Sequence, residues 1–262
     1  MDLGIKGRRA LVLGGNRGIG FGIAWALAEE GVDVAIAARD PQRLQSAADE
    51  LRALAGGKVG AFELDLGNPD GLEDFVAALT RDFGAIDILV NNTGGPEYGG
   101  ASNRGTTAWR DSFEQMVLSV IALTDAVLPG MRERGWGRVM TVVSSGVIQP
   151  IPVLGISNSL RGALLGWSKT LSSEVAAEGV TVNVLVPGRI DTERVRLTDE
   201  AIAEREGITP EEVQRRSTGM IPMQRYGSVA EFAAVAAFVA SERASYVTGS
   251  MLRCDGGIVR SV

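Results

Sequence analysis

Short apolar runs alternate along this chain with segments whose apolar residues recur at three- and four-residue spacing. Residues 9–13 form a run of buried-strand type, after which Ile19, Ile23, Ala24, Leu27 and Ala28 fall on one helical face and Gly31 closes the helix. The pattern continues with strands predicted at 32–38, 59–64, 86–90, 137–143, 180–186 and about 250–254. Helices are predicted between them at about 41–54, from a cap near Asn68-Pro69, at 108–133, at 154–178 and at 229–241. A glycine-rich loop runs from Gly94 to Gly105. Residues 190–222 are polar and helix-rich and read as a substrate lid; within them Thr209-Pro-Glu-Glu212 is a capping box with Pro at the first helical position. Regular alternation predicts an α/β fold, a parallel sheet with helices on both faces. No linker, repeat or low-complexity stretch interrupts it, so residues 1–262 are expected to form one domain.

Composition narrows the functions open to such a fold. With 262 residues, 45% of them hydrophobic, the chain can bury a sizeable core. A formal net charge of −6 argues against a nucleic-acid or anionic-membrane surface. No signal-peptide core and no run of 18 apolar residues is found, and the lone Cys254 allows no intrachain disulfide, so the expected compartment is the cytoplasm. Histidine is absent, which removes Ser-His-Asp and Cys-His catalysis and any His-ligated metal. No Asp/Glu cluster has calcium-loop spacing, and no metal is expected.

The first strand-to-helix junction carries chemistry. In Leu11-Val-Leu-Gly-Gly-Asn-Arg-Gly-Ile-Gly20, the glycines stand between a strand and a helix start. There the backbone can approach a pyrophosphate and aim free N–H groups at it, which predicts dinucleotide binding.

Gly14-x-x-x-Gly18-x-Gly20, Asp65, Asn91-Asn92-Thr93-Gly94, Pro187-Gly188 and Asp255-Gly256-Gly257 follow one another in the order of the short-chain dehydrogenases/reductases. The chain resembles that family over nearly its whole length, and within it the 3-oxoacyl-carrier-protein reductase branch. The resemblance implies a doubly wound, Rossmann-type parallel sheet with NAD(P) at the carboxyl ends of the strands. It places the pyrophosphate at Gly14, Asn16, Arg17, Gly18, Ile19 and Gly20, and adenine at Asp65 and Leu66. Asn92 and Gly94 would line the ribose, and Pro187, Gly188, Ile190 and Thr192 the nicotinamide. Arg17 in the loop and Arg39 at the end of the second strand are expected at the ribose 2′ position, where arginine pairs with a phosphate and selects NADP(H). Asp40, one residue on, would argue the other way. The resemblance also implies pairing of the helices near 108–133 and 154–178 between subunits, in a homotetramer or dimer.

The active-site motif departs from the family. Its tyrosine, with a lysine four residues later, gives a proton to the carbonyl oxygen as hydride arrives. Here the residues four beyond Tyr98, Tyr226 and Tyr246 are Ser102, Ala230 and Ser250. Alignment puts Ser157 at the tyrosine position, Arg161 at the lysine position and Met116 where the family has asparagine. Only the serine survives, as Ser145 or its neighbour Ser144. A serine hydroxyl is a poor acid, Arg161 holds its proton too firmly to relay it, and Lys169 lies about 12 Å further along the helix. Tyr98 is a candidate substitute acid and Arg189 a candidate substrate anchor.

The sequence therefore favours an NADP(H)-dependent oxidoreductase acting on a small-molecule carbonyl or alcohol with a non-standard proton donor, using Ser145, Ser157 and Arg161. Two alternatives stay open: a catalytically weak NADP(H)-binding sensor or partner protein, and a cleft reused for dehydration or isomerisation.

Overall fold

Residues 1–54 and 56–262 are described by a computed structural model. Seven strands, β1 (Arg9–Leu13), β2 (Asp33–Ala38), β3 (Val59–Glu63), β4 (Ile88–Asn91), β5 (Gly137–Val142), β6 (Val180–Pro187) and β7 (Met251–Cys254), form one sheet in the order β3-β2-β1-β4-β5-β6-β7. All pairings are parallel. The strand order reverses at β1, whose neighbours are β2 and β4, the switch point at which doubly wound sheets take ligands beyond the carboxyl ends of their strands.

Helices cover both faces because the strands are apolar on both. In β1, Ala10 and Val12 point to one side, where they meet α1 (Gly18–Glu29), α2 (Pro41–Leu54) and α9 (Val229–Ala240). Leu11 and Leu13 point to the other side, against α3 (Leu72–Asp82), α5 (Ser119–Glu133) and α6 (Gly155–Val175). These β1 residues are fully buried, each contributing on the order of 1–3 kcal/mol of hydrophobic stabilisation. The sheet is doubly wound, as the alternation predicts.

The helix expected at 108–133 differs in an instructive way. It runs from Thr106 to Glu133 as α4 (Thr106–Phe113), a π turn (Glu114–Leu118) and α5, with the Ser119 N–H bonding back to the Glu114 carbonyl. The extra residue of the π turn shifts the inward face. Met116, Val117 and Val120 thereby pack with α6, while Leu123, Leu128 and Met131 reach the sheet. By length and mean hydropathy this 28-residue helix is long and apolar enough to cross a membrane. It holds no unbroken apolar run of spanning length and qualifies on its average alone; part of its apolar content packs on the sheet and α6.

Residues 190–222, expected from the sequence to form a lid, hold α7 (Glu193–Glu206) and α8 (Pro210–Gly219). Thr209 caps α8 by accepting from the Glu212 N–H at 3.2 Å, with Pro210 at the first position. The reciprocal half of that expected capping box is missing, because the Glu212 carboxylate turns to Arg215 and Arg216. The complete box is Ser228 with Glu231, at the start of α9.

Candidate active site

The glycine loop has the shape its sequence requires. Gly14 and Gly18 adopt φ of +59° and +55°, a left-handed conformation that side chains disfavour. A Cβ at Gly20 would lie 2.2 Å from the Gly14 carbonyl oxygen, and one at Gly14 would lie 2.8 Å from Asn92 Nδ2. The loop is thus drawn tight against both the start of α1 and the end of β4. Asn92 Nδ2 donates to the Leu13 carbonyl at 3.1 Å, tying the loop after β4 to β1. Beside Gly94 there is open space where a side chain would be. Arg17, the residue preceding α1, makes no side-chain cap, and the first turn carries no carboxylate. The leading N–H groups of α1 are therefore left for an anion. Asn16 and Ile19, half-buried, complete the loop. These features fit a dinucleotide pyrophosphate and ribose.

Charge collects at the adjoining end of the cleft. Arg17 Nη1 lies 2.9 Å from Glu193 Oε2, and Arg43 Nη1 lies 3.0 Å from the same oxygen. Hydrogen bonds from both arginines hold the Glu193 carboxyl below the usual carboxylate range. Arg39 Nε stands 4.0 Å from Asp65 Oδ1, which also accepts from the Gly67 N–H at 3.0 Å. Leu66, next in the chain, packs on the core beneath α3. Asp40, the residue that would argue against a phosphate, accepts from the Gln42 and Arg43 N–H groups and so serves the start of α2. Arg43 and Glu193 were not singled out in the sequence. Their signal was position: one lies in the first turn of the helix after Arg39, the other directly follows Thr192.

The segment after β6 is held from below. The Gly188 N–H donates to the Cys254 carbonyl at 3.0 Å, and a Cβ there would lie 2.6 Å from Asp255 Cα. Asp255 in turn accepts from the N–H groups of Gly257 and Val259. Ile190 is buried and bridges to Gly227, and Thr192 caps α7 by accepting from the Val195 N–H. Pro187, Gly188, Ile190 and Thr192 are thereby held in one hydrogen-bonded strap at the end of β6.

Three serines and Arg161 come from the end of β5 and from α6. Ser144 Oγ accepts from the Gly146 N–H at 3.1 Å, whereas the hydroxyl of Ser145, which opens a single 3-10 turn, has no partner among the described residues. Of the two, Ser145 is the one free to meet a substrate. Ser157 is 6% exposed, and its hydroxyl bonds to no described protein atom yet keeps access to solvent. Arg161, one turn later and 8% exposed, donates from Nη1 to the Val142 carbonyl at 2.9 Å. Its Nη2 donates to the carbonyls of Thr93 and Gly94 at 3.0 and 3.1 Å. Burial, with a smaller contribution from the Arg194 charge, pushes the guanidinium down to about 10, so at neutral pH it remains a cation. Asn158, also unforeseen, donates to the Ile151 carbonyl and turns a buried Oδ1 without a partner toward Gly146.

Other candidate groups are engaged elsewhere. The Tyr98 hydroxyl is bonded to Thr198 of α7. Tyr226 donates to Asp199 at 2.7 Å, and burial raises its phenol above the ordinary value. Tyr246 is fully exposed. Arg189 is paired with the buried Asp199 and lies over the Tyr226 ring, so it is not the free anchor its sequence position suggested. Lys169 donates to the Gly249 carbonyl beside a separate cavity of about 200 Å³ between α6 and β7. Met116 is fully buried in the π turn. Among the described residues no group of three carboxylates or thiols could hold a metal.

Comparison with known proteins agrees with this geometry. Residues 14–259 match the family profile described as Enoyl-(Acyl carrier protein) reductase. The chain is 34% identical over 260 residues to the 3-oxoacyl-[acyl-carrier-protein] reductase FabG of Vibrio cholerae, covering 98% of this chain and 99% of that protein. L-sorbose reductase from Gluconobacter frateurii, solved with NADPH and L-sorbose, superposes over the whole of both chains with a TM-score of 0.95 and 32% identity. YwfH, an NADPH-dependent reductase involved in bacilysin biosynthesis, gives a TM-score of 0.93 at 28% identity, over 98% of this chain and all of that one. With its glycine cradle, its strap after β6 and its sheet order all in place, the chain belongs to the short-chain dehydrogenase/reductase family of oxidoreductases.

Proposed function

We propose that the protein is an NADP(H)-dependent reductase of a small carbonyl substrate, or dehydrogenase of the matching alcohol, that works without a tyrosine acid. The observation that carries this reading is Arg161. Its guanidinium is built into the main chain at Val142, Thr93 and Gly94, and alignment with the family gives it the lysine's position. Ser157, a turn earlier and 6% exposed, takes the phenol's position in the same alignment.

In this reading Arg17 and Arg39 meet the 2′-phosphate, with Arg43, which shares the Glu193 carboxylate with Arg17, beside them, and the N–H groups at Gly18, Ile19 and Gly20 meet the pyrophosphate. Asp65 and Leu66 flank adenine, Asn92 and Gly94 the ribose, and Pro187 to Thr192 the nicotinamide. Bound NADPH supplies a hydride, and negative charge grows on the substrate oxygen. Ser145 donates a hydrogen bond to that oxygen, and Ser157 donates a second or orders the water that delivers the proton. Arg161 fixes the loop at Thr93 and Gly94 and holds a positive charge beneath it, a preorganised field that favours the developing oxyanion. A positioned general acid is worth roughly 10²–10⁴ in rate, so turnover should be slow for the family.

The same reading takes residues 1–262 as one NADP-binding domain with a lid at about 190–222, working in the cytoplasm as a homotetramer or dimer. Exposed Phe113 and Leu118 on the long helix support subunit pairing there, and sedimentation at micromolar concentration should show no monomer. The deciding experiment is steady-state NADPH oxidation over a panel of ketones and aldehydes, with NADPH affinity measured separately by calorimetry. Tight binding with slow, substrate-dependent oxidation is the expected outcome. Tight binding with no oxidation on any carbonyl would exclude reductase activity.

A further inference from the structure

Glu193 is the first residue of α7, the leading helix of the lid, and it does not face solvent alone. Its carboxylate bridges two guanidinium groups from the cofactor side: Arg17 of the glycine loop at 2.9 Å and Arg43 of α2 at 3.0 Å. The lid is anchored to that side a second time, by Thr192, whose methyl carbon stands 3.6 Å from the point where a Cβ on Gly18 would lie. Other charges face the cluster. Asp40 lies 3.6 Å from Arg43 Nε but is committed to the start of α2, and Asp65 is 4.0 Å from Arg39. Glu193 is thus the one carboxylate among the described residues that binds both Arg17 and Arg43.

We propose that Glu193 is a specificity-determining latch: its carboxylate and the cofactor's 2′-phosphate are alternative partners for Arg17 and Arg43, so that NADP(H), and not NAD(H), releases the first turn of the lid. A phosphate monoester carries about −1.5 to −2 charges near pH 7 and three acceptor oxygens. It therefore outcompetes a carboxylate for two guanidinium forks. A 2′-hydroxyl cannot. When the phosphate takes the arginines, α7 loses its tie through Glu193 while keeping its Thr192 cap, so the helix persists and its anchor changes. Phosphate recognition at one end of the cleft is in this way coupled to the segment that covers the other.

The inference rests on the cofactor placement given above, and the test separates the two. Adenosine 2′,5′-bisphosphate and 5′-AMP are titrated calorimetrically into wild type and Glu193→Gln. Removing the competing charge should tighten the bisphosphate by about fivefold or more, at the low end of ordinary coupling between sites, and leave 5′-AMP within about twofold. In wild type, amide hydrogen exchange over 193–206 should be faster with bisphosphate than with 5′-AMP, and in Glu193→Gln the two ligands should give the same rates. If wild type binds the bisphosphate no better than 5′-AMP, the placement of the phosphate is wrong. If it prefers the bisphosphate but Glu193→Gln leaves that affinity unchanged or weaker, or if exchange does not distinguish the ligands in wild type, the latch is refuted and the placement stands.

Discussion

The two ends of the cleft use arginine in opposite ways. At the end proposed for the adenosine, Arg17, Arg39 and Arg43 are more than half exposed and are met by side-chain carboxylates that are themselves about half exposed. Such pairs are screened and exchange partners at little cost. At the end proposed for the nicotinamide, Arg161 is buried and meets no carboxylate among the described residues; three main-chain carbonyls take its donors. A buried cation satisfied by the backbone is part of the scaffold, and removing it leaves those acceptors stranded. The end proposed to bind a phosphate is therefore built from replaceable pairs, whereas the end where charge would develop during reaction is rigid. In the proposed mechanism, that rigidity is what would organise an oxyanion without a phenol.

The largest expected effect is at the rigid end. Arg161→Ala leaves the carbonyls of Val142, Thr93 and Gly94 without this donor and opens a void under the loop. We expect a loss of about 3–5 kcal/mol, comparable to removing one partner of a buried ion pair. For a domain of this size that is a fall in melting temperature of roughly 10 °C, readable by calorimetry. A melting temperature within a degree of wild type would show that Arg161 is not structural and would dissolve the contrast. At the replaceable end, Arg39→Ala should leave the fold intact and cut the preference for NADPH over NADH by about tenfold, the worth of one charge-assisted contact. Wild-type protein that binds both cofactors equally would remove the phosphate from this end altogether.

A smaller effect is expected between the two. Val153, just before α6, adopts φ of +62°, a strained conformation for a β-branched residue, and its carbonyl accepts from the Gly99 N–H at 2.7 Å. Asparagine tolerates this conformation better, so Val153→Asn should stabilise the protein by up to about 1 kcal/mol while keeping the Gly99 hydrogen bond. A destabilised variant would mean that the valine side chain contributes packing worth more than the strain.

Much of this was legible in the chain. The double winding could be read because strands such as β1 are apolar on both faces, and the glycine loop because Gly14 and Gly20 leave no room for a side chain. Strand and helix boundaries shifted by only a few residues, as with β4 at Ile88–Asn91 in place of 86–90. The π turn was not legible, since its apolar spacing suits an ordinary helix until Val120 and Leu123 must serve two different surfaces. In the site, Ser157 and Arg161 could be placed by alignment, but the hydrogen bonds of Arg161 could not. Its acceptors lie 19, 67 and 68 residues away and are backbone oxygens, which carry no side-chain signal. Glu193 was hidden for a similar reason: Arg17 is 176 residues away, and only the fold of the segment after β6 brings the two together.

The central claim, that a serine stands where the family has its acid and a scaffolding arginine where it has lysine, is tested most directly by restoring the pair. Ser157→Tyr with Arg161→Lys is compared with wild type for NADPH affinity and for ketone reduction under the same conditions. The account predicts unchanged affinity, slow wild-type turnover and a gain of at least about tenfold in the double variant, at the low end of what a positioned acid supplies. Two features limit that gain: in the alignment Met116 takes the place of the family's asparagine, and a lysine cannot replace all the hydrogen bonds that Arg161 gives the main chain. Wild-type turnover already within the ordinary enzyme range of about 1–10³ s⁻¹, with no gain in a double variant that binds NADPH normally, would contradict the account and point to a different proton donor.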